Sequence, residues 1–265
     1  MTHHYLGRDE APVKAETWRM LDHAMMEAAK SILAGRRLLD IEGPYGLGLK
    51  VVPLEDCQVD ECLMASPFVP VNLISTTFIL GVRDILASEE NGLPFPISAV
   101  AEAAMECART EDSIIFDGFE GCPGLLAMEG AGSLTLSSWN TVGKAADDVI
   151  KALIQLDGAG YHGPYAMALA PDRYNLLYRR YPQGQGTELE HVRSIVTGGV
   201  YKAPAIKSGG VVLATGRRFA SIVLGQDMTV GFVGPMGDSL EFSIIESLAL
   251  VVREPASVCV LKEKS

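Results

Sequence analysis

The chain has 265 residues, 48% hydrophobic and 21% charged, an ordinary balance for a globular protein that buries its core as one domain or two interleaved ones. Its formal net charge of -11, with basic residues paired only at Arg36–Arg37, Arg179–Arg180 and Arg217–Arg218, argues against nucleic acid as the main partner, since polyphosphate binding needs a basic face. No apolar run approaches the roughly 18 residues of a membrane span, and Met1 to Lys14 lacks a signal-type apolar stretch. The expectation is a cytoplasmic protein without membrane partners.

Ala15 to Leu33 carries Trp18, Leu21, Met25, Ala29 and Ile32 at three- and four-residue steps, which predicts an amphipathic helix closed by Gly35 as its C′ residue. Arg36 and Arg37 then precede Asp40 closely enough for a cation and an anion to meet across a turn. From Leu49 to Leu80 the pattern is two long strands joined by an acidic, irregular middle, an arm extended enough to leave the body of its own subunit. Ser98 is a candidate cap for a second long helix reaching Phe116, with Ala101, Met105, Ala108, Asp112 and Ile115 on one stripe. A carboxylate at Asp112 on that stripe is either paired with a cation or sits where the helix end reaches solvent; pairing, with an arginine as the usual partner, is the favoured expectation, whereas Glu111 reads as solvated.

Further on, a helix from Lys144 to Leu156, a strand from Tyr165 to Leu169 and a helix opening at Pro171 alternate as in a small α/β unit. Tyr181-Pro-Gln-Gly-Gln-Gly186 is a polar tip between helices. Strands follow at Val211–Thr215, Phe219–Leu224, Val230–Val233, Leu240–Val252 and Val258–Leu261. Mean hydropathy of +0.19, together with 27 Gly and 14 Pro, suggests connecting arms and apolar surface that ends in subunit contacts.

The chemistry searched for is mostly missing. Gly143-Lys144 lacks the earlier Gly and the following Ser or Thr of a phosphate loop, and Gly43, Gly46 and Gly48 follow a helix in the wrong order for a dinucleotide fingerprint. The five histidines are scattered and the five cysteines have no C-x-x-C spacing, so no metal site and no disulfide framework is indicated. No nucleophile elbow and no recognisable acid/base pair is present. The chain reads as no enzyme, with no catalytic residues and no cofactor.

Five collinear segments carry a family resemblance. Gly35-Arg-Arg-Leu-Leu-Asp-Ile-Glu-Gly-Pro-Tyr-Gly46, Glu111 to Gly118 with Gly124-Leu-Leu126, Gly163-Pro-Tyr165 with Pro171-Asp-Arg-Tyr174, Leu224 to Gly231, and Glu246 to Pro255 together resemble the encapsulins, bacterial nanocompartment shell proteins. The resemblance implies an α+β, phage major-capsid-like fold. Its parts would be an N-terminal arm and first helix (1–48), an extended loop (49–80), a peripheral domain with a spine helix (81–133), an apical domain (134–225) and a C-terminal part of the peripheral domain (226–265). It also implies self-assembly into an icosahedral homo-oligomer that encloses a cargo enzyme, of ferritin-like iron-storage or dye-decolourising peroxidase type, held by the cargo's C-terminal targeting peptide.

Leu33, Arg36 and Asp40 match family positions at the cargo-peptide groove, with Met228, Val230 and Ile245 as neighbours. Tyr181, Pro182, Gln183, Gly184, Gln185 and Gly186 would line a five-fold pore of weak selectivity. Leu6 to Pro12 resembles members forming larger shells. Arg83 stands where some members carry a flavin-stacking Trp, which speaks against bound flavin. A phage or prophage capsid subunit is the alternative with the same fold, and a hydrolase or bacteriocin-like activity is a second alternative, for which no nucleophile is found.

Overall fold

The computed structural model describes residues 4–182, 184 and 186–264, so Gln183 and Gln185 of the polar tip lie outside the described residues. After two single turns of 3-10 helix come α1 (Ala15–Ile32), a one-turn α2 (Gly35–Leu38) and β1 (Asp40–Glu42). The arm contributes β2 (Val51–Pro53), β3 (Cys57–Asp60), β4 (Leu63–Ala65) and β5 (Phe68–Pro70), and β6 (Asn72–Gly81) returns to the body. Then follow α3 (Val82–Asn91), α4 (Ser98–Phe116), the short β7 (Gly118–Phe119) and β8 (Cys122–Pro123), and β9 (Gly132–Thr135). The rest is α5 (Lys144–Gly158), β10 (Tyr165–Leu169), α6 (Pro171–Leu176), α7 (Glu188–Ile195), β11 (Gly199–Lys202), β12 (Gly210–Ala214), β13 (Ala220–Met236), β14 (Ser239–Val252) and β15 (Val258–Lys262).

Two sheets organise the chain. The first runs β1-β13-β14-β6, with β1 parallel to β13 and the other pairs antiparallel. On β6 the buried residues Ile74, Phe78 and Leu80 alternate with the exposed Leu73 and Ile79, the period of a strand with one face on a core. That core lies under α4, whose buried residues Val100, Ala104, Cys107 and Ala108 recur at helical spacing and meet α1 as well. The second sheet runs β11-β10-β12-β15-β9.

All five residues of β10 are buried, because its two faces serve two cores. Ala166 and Ala168 join the core of α1, α4 and the first sheet, while Met167 and Leu169 join Val149, Leu153 and Val192 of α5 and α7. The small alanines let the first core approach the strand closely. The two halves of the chain are therefore one packed body.

The arm is different. β2 pairs with β5 and β3 with β4; Val52, Leu54 and Val69 pack on Val223, Ala249 and Val251 of the first sheet, whereas Val59, Leu63, Met64 and Phe68 are each more than half exposed. The last nine residues of the 49–80 stretch are not free, since β6 pairs with β14 from Gly81 against Ser239 to Asn72 against Leu248.

The structure corrects several local expectations. Gly35 is no C′ cap. Leu33 ends α1, and Gly35 opens α2 packed against α4, where a Cβ would meet Ile115 Cδ1 at 2.5 Å and Asp112 Oδ1 at 3.2 Å. Because Ile115 is fully buried, Gly35→Ala is expected to cost about 1–3 kcal/mol by overpacking, read as a lowered thermal midpoint of the purified protein. Ser98 is the first helical residue of α4, not its cap, since Ile97 holds the cap position. Residues 219–233, read as two strands, belong largely to the single β13, interrupted by register shifts after Leu224, Gln226 and Phe232.

Candidate functional site: a groove beside the first helix

One face of α1 packs on α4, and beside it α1 walls a groove of about 510 Å³. Met25, Met26, Ala29 and Leu33 supply its apolar side, and Met228 and Thr229 of β13 face them. Met26 is 44% exposed. Methionine is unbranched and polarizable, so three methionines give a surface that can repack around differing apolar side chains. The volume falls within the range of small-molecule and peptide pockets.

The charged ends are fixed. Arg8 grips the Asp22 carboxylate through both terminal nitrogens, donates from Nε to the Val230 carbonyl at 2.7 Å, and lies over the Trp18 ring at 4.5 Å. The N-terminal turns are thereby bound to α1 and β13 as one wall of the groove. Lys30 adds a solvated cation on the rim, and Asp227 an anion next to Met228.

Beneath the groove sits its least sequence-visible part. The Arg36 guanidinium donates from Nε to Glu111 at 2.8 and 3.0 Å, from Nη1 to Asp227 at 2.8 Å, and from Nη2 to Glu246. The side chains of Glu111 and Glu246 are 0% exposed, so two carboxyls and one cation share a dry site. Burial works against the Arg36 charge. The hydrogen bond and attraction of Glu111, then of Glu246 and Asp227, more than offset this and raise the pKa of the guanidinium. Glu246 is pushed well above the usual carboxylate range, by burial first and then by the neighbouring Glu111, with Arg36 opposing. The two carboxyls repel one another across the site, and Arg36 is the cation they share. Burial and the same two carboxyls push the Cys107 thiol up, which makes it an inert core group.

The corner between α1 and α2 is set by Asp112. Its carboxylate accepts the Ala34 N–H at 2.9 Å and the Gly35 N–H at 2.9 Å, orphan donors at the start of α2. Burial raises it to about 6 in spite of those two donors. The expected arginine is not its partner, and Glu111, read as solvated, is the residue that takes Arg36. Nor does Arg36 pair with Asp40, which is exposed at the head of β1, while Arg37 donates to the Leu33 carbonyl at 2.8 Å.

Of the residues matched to the cargo groove, Leu33, Arg36 and Met228 line this one cavity. Val230 lies fully buried on the supporting strand, Ile245 is half-buried opposite Thr229 on β14, and Asp40 does not line it. Sequence reading missed Arg8, Met25, Met26, Asp227 and Glu246. The adjacent methionines on an amphipathic helix were the one available signal.

The polar tip lies between α6 and α7. Arg180 and Thr187 bridge its base, Gly184 N–H donates to the Tyr181 carbonyl, and the Tyr181 hydroxyl meets His191 Nδ1 at 2.8 Å. Buried Glu188 ties it to the body by accepting the Gly143, Ala145 and Ala146 N–H groups at the start of α5.

Comparison with known proteins fixes the lineage. The model of the family described as "Encapsulating protein for peroxidase" (Linocin_M18) matches residues 2–249. The type 1 encapsulin shell protein EncA of Myxococcus xanthus is 33% identical, over 97% of this chain and 96% of its own. The chain belongs to the encapsulin family. Encapsulin shell proteins are structural rather than catalytic. Among solved structures, the virus-like particle of Pyrococcus furiosus matches with a TM-score of 0.77 at 22% identity, covering 94% of this chain and 100% of that one. The capsid of Myoviridae phage XM1 matches at 0.61 and 13% identity, over 85% of this chain and 90% of its own. The encapsulin chain therefore has the phage-capsid fold, and the phage likeness extends no further than the fold.

Proposed function

We propose that copies of this chain close into an icosahedral shell in the cytoplasm and hold a cargo enzyme by a short peptide at the cargo's C-terminus, docked in the groove beside α1. The observation that carries the reading is the groove itself, an apolar, methionine-walled trough with anchored charges, lined by Leu33, Arg36 and Met228 in a chain of a shell-forming family. An apolar trough supplies affinity, and fixed charges supply register. Weak single contacts suffice where an oligomeric cargo presents several tails to a wall of repeated sites. Asp40, Val230 and Ile245 enter the proposal only as neighbours outside the cavity or under it.

A peroxidase cargo agrees with the description of the matching family, and a ferritin-like cargo is the other class proposed. The arm would cover its exposed strands and apolar side chains on a sister subunit. Tyr181 to Gly186 would line an opening for small solutes.

Light scattering and electron microscopy of the purified protein are expected to show hollow particles of megadalton mass, and a monomer or dimer would reject the reading. In shells from the native host, Leu33→Glu is expected to leave particles intact while cutting co-purified cargo about tenfold, a loss of about 1.4 kcal/mol per docking contact. Undiminished cargo, quantified by mass spectrometry, would move the docking site elsewhere.

A further inference from the structure

The two arginines of the α1–α2 corner serve opposite sides. Arg36 turns to the groove, and Arg37 turns to a separate pocket of about 410 Å³ between that corner and the second sheet, where its guanidinium carbon stands 5.9 Å from the centre of the Tyr201 ring. Two further cations line this pocket, Arg193 of α7 and Lys202 of β11, and so do Tyr174 and Tyr178 at the end of α6. No aspartate or glutamate among the described residues lines it. Among the described residues none of the three cations has a carboxylate within ion-pair distance, unlike Arg8, Arg36, Arg173 and Arg253.

The cations are positioned by neutral groups instead. Arg37 donates to the Leu33 carbonyl, Arg193 donates to the Tyr174 hydroxyl at 3.3 Å, and the Lys202 ammonium lies 5.2 Å from the Tyr174 ring centre. These contacts hold the side chains without neutralising them. Three positive charges without a salt-bridge partner among the described residues converge in one concavity, with Asp112 acting on Arg37 only from outside the pocket, and on a chain of net charge -11 they concentrate positive potential where the rest of the surface repels anions. Beside them the Tyr178 ring is 54% exposed, braced edge-on against Tyr174 at 5.7 Å.

We infer that this pocket binds a nucleotide, its phosphates on Arg37, Arg193 and Lys202 and its base against Tyr178. Guanidinium groups pair with phosphate oxygens through charge-assisted, often bidentate hydrogen bonds. An exposed aromatic face gives a base a stacking surface that orthophosphate cannot use. The pocket's limited volume and the chain's overall negative charge suit a small anion and not a polymer. The inference is independent of the cargo groove, which shares no residue with this pocket.

The test is calorimetric titration of ADP, adenosine and inorganic phosphate into the assembled protein at low salt. One saturable ADP site per chain is expected, with adenosine and phosphate each binding at least about tenfold more weakly. Arg193→Gln with Lys202→Gln should weaken ADP about tenfold or more, and Tyr178→Ala should weaken ADP while leaving phosphate unchanged. Should the double variant fail to assemble, acetylation of Lys202 in the native protein is read instead, with ADP expected to slow it and adenosine not. Absence of saturable ADP binding, affinity indifferent to these substitutions, equal binding of phosphate and ADP, or unprotected Lys202 would each overturn the assignment.

Discussion

Arg36→Leu is expected to abolish recovery of soluble shells at neutral pH. The substitution leaves Glu111 and Glu246, both fully buried, without their shared cation, and breaking a buried ion pair from one side costs about 3–5 kcal/mol. That is a large part of the stability of a typical domain. Adding Glu111→Gln and Glu246→Gln to Arg36→Leu should restore assembly, because neutral amides need no counter-charge. Sedimentation of the two variants side by side checks both halves, and soluble shells from Arg36→Leu alone would show that the cluster contributes little. Glu246 sets the sign of the pH response here. Its folded carboxyl keeps a proton that the unfolded chain releases near 4.5, so stability is intact below that value and is lost as pH rises through the raised one.

Asp112→Ala is the second large effect. It deprives the Ala34 and Gly35 N–H groups of their acceptor in a buried corner, at about 1–3 kcal/mol for each orphaned donor. A lowered thermal midpoint is expected, together with weaker cargo retention, since this corner aims Leu33 and Arg36. The milder Asp112→Asn keeps one acceptor and removes the titration. Wild-type Asp112 goes from an ordinary 3.8 to about 6 on folding, so between those values the folded chain holds the extra proton and stability falls as pH rises. Melting curves of Asp112→Asn across that window should be flatter than those of the wild type, and parallel curves would remove Asp112 from the pH dependence.

Much of the architecture was legible in the residues. The strand over Tyr165–Leu169 and the helices from Ala15, Ser98, Lys144 and Pro171 stand where periodicity and breakers put them, since those signals are local. The groove was only half legible. Arg36 and Leu33 could be singled out, but the partners of Arg36 stand 75, 191 and 210 residues away, and no spacing rule reaches that far. The local alternative, Asp40, was therefore the natural misreading. Gly35 misled for a related reason. A glycine after a helix suggests a left-handed cap, whereas here the missing side chain makes room for Ile115 of α4, a contact invisible before the helices are docked. At Gly225-Gln226-Asp227 the turn-like composition concealed a bulged but continuous strand, whose bulge sets Asp227 and Met228 on the groove.

The way the arm is rooted has a mechanical corollary. Its return limb passes through the single residue Val71 from β5 into β6, which is zipped along ten residue pairs to β14, the strand that carries Glu246. A tug at the hairpin tip loads those hydrogen bonds in shear, many at once, instead of peeling them one by one. Stress between neighbouring tiles of a container would thus reach the floor under Arg36 before the ladder gives way, and wall strain and guest grip would be felt by the same strand.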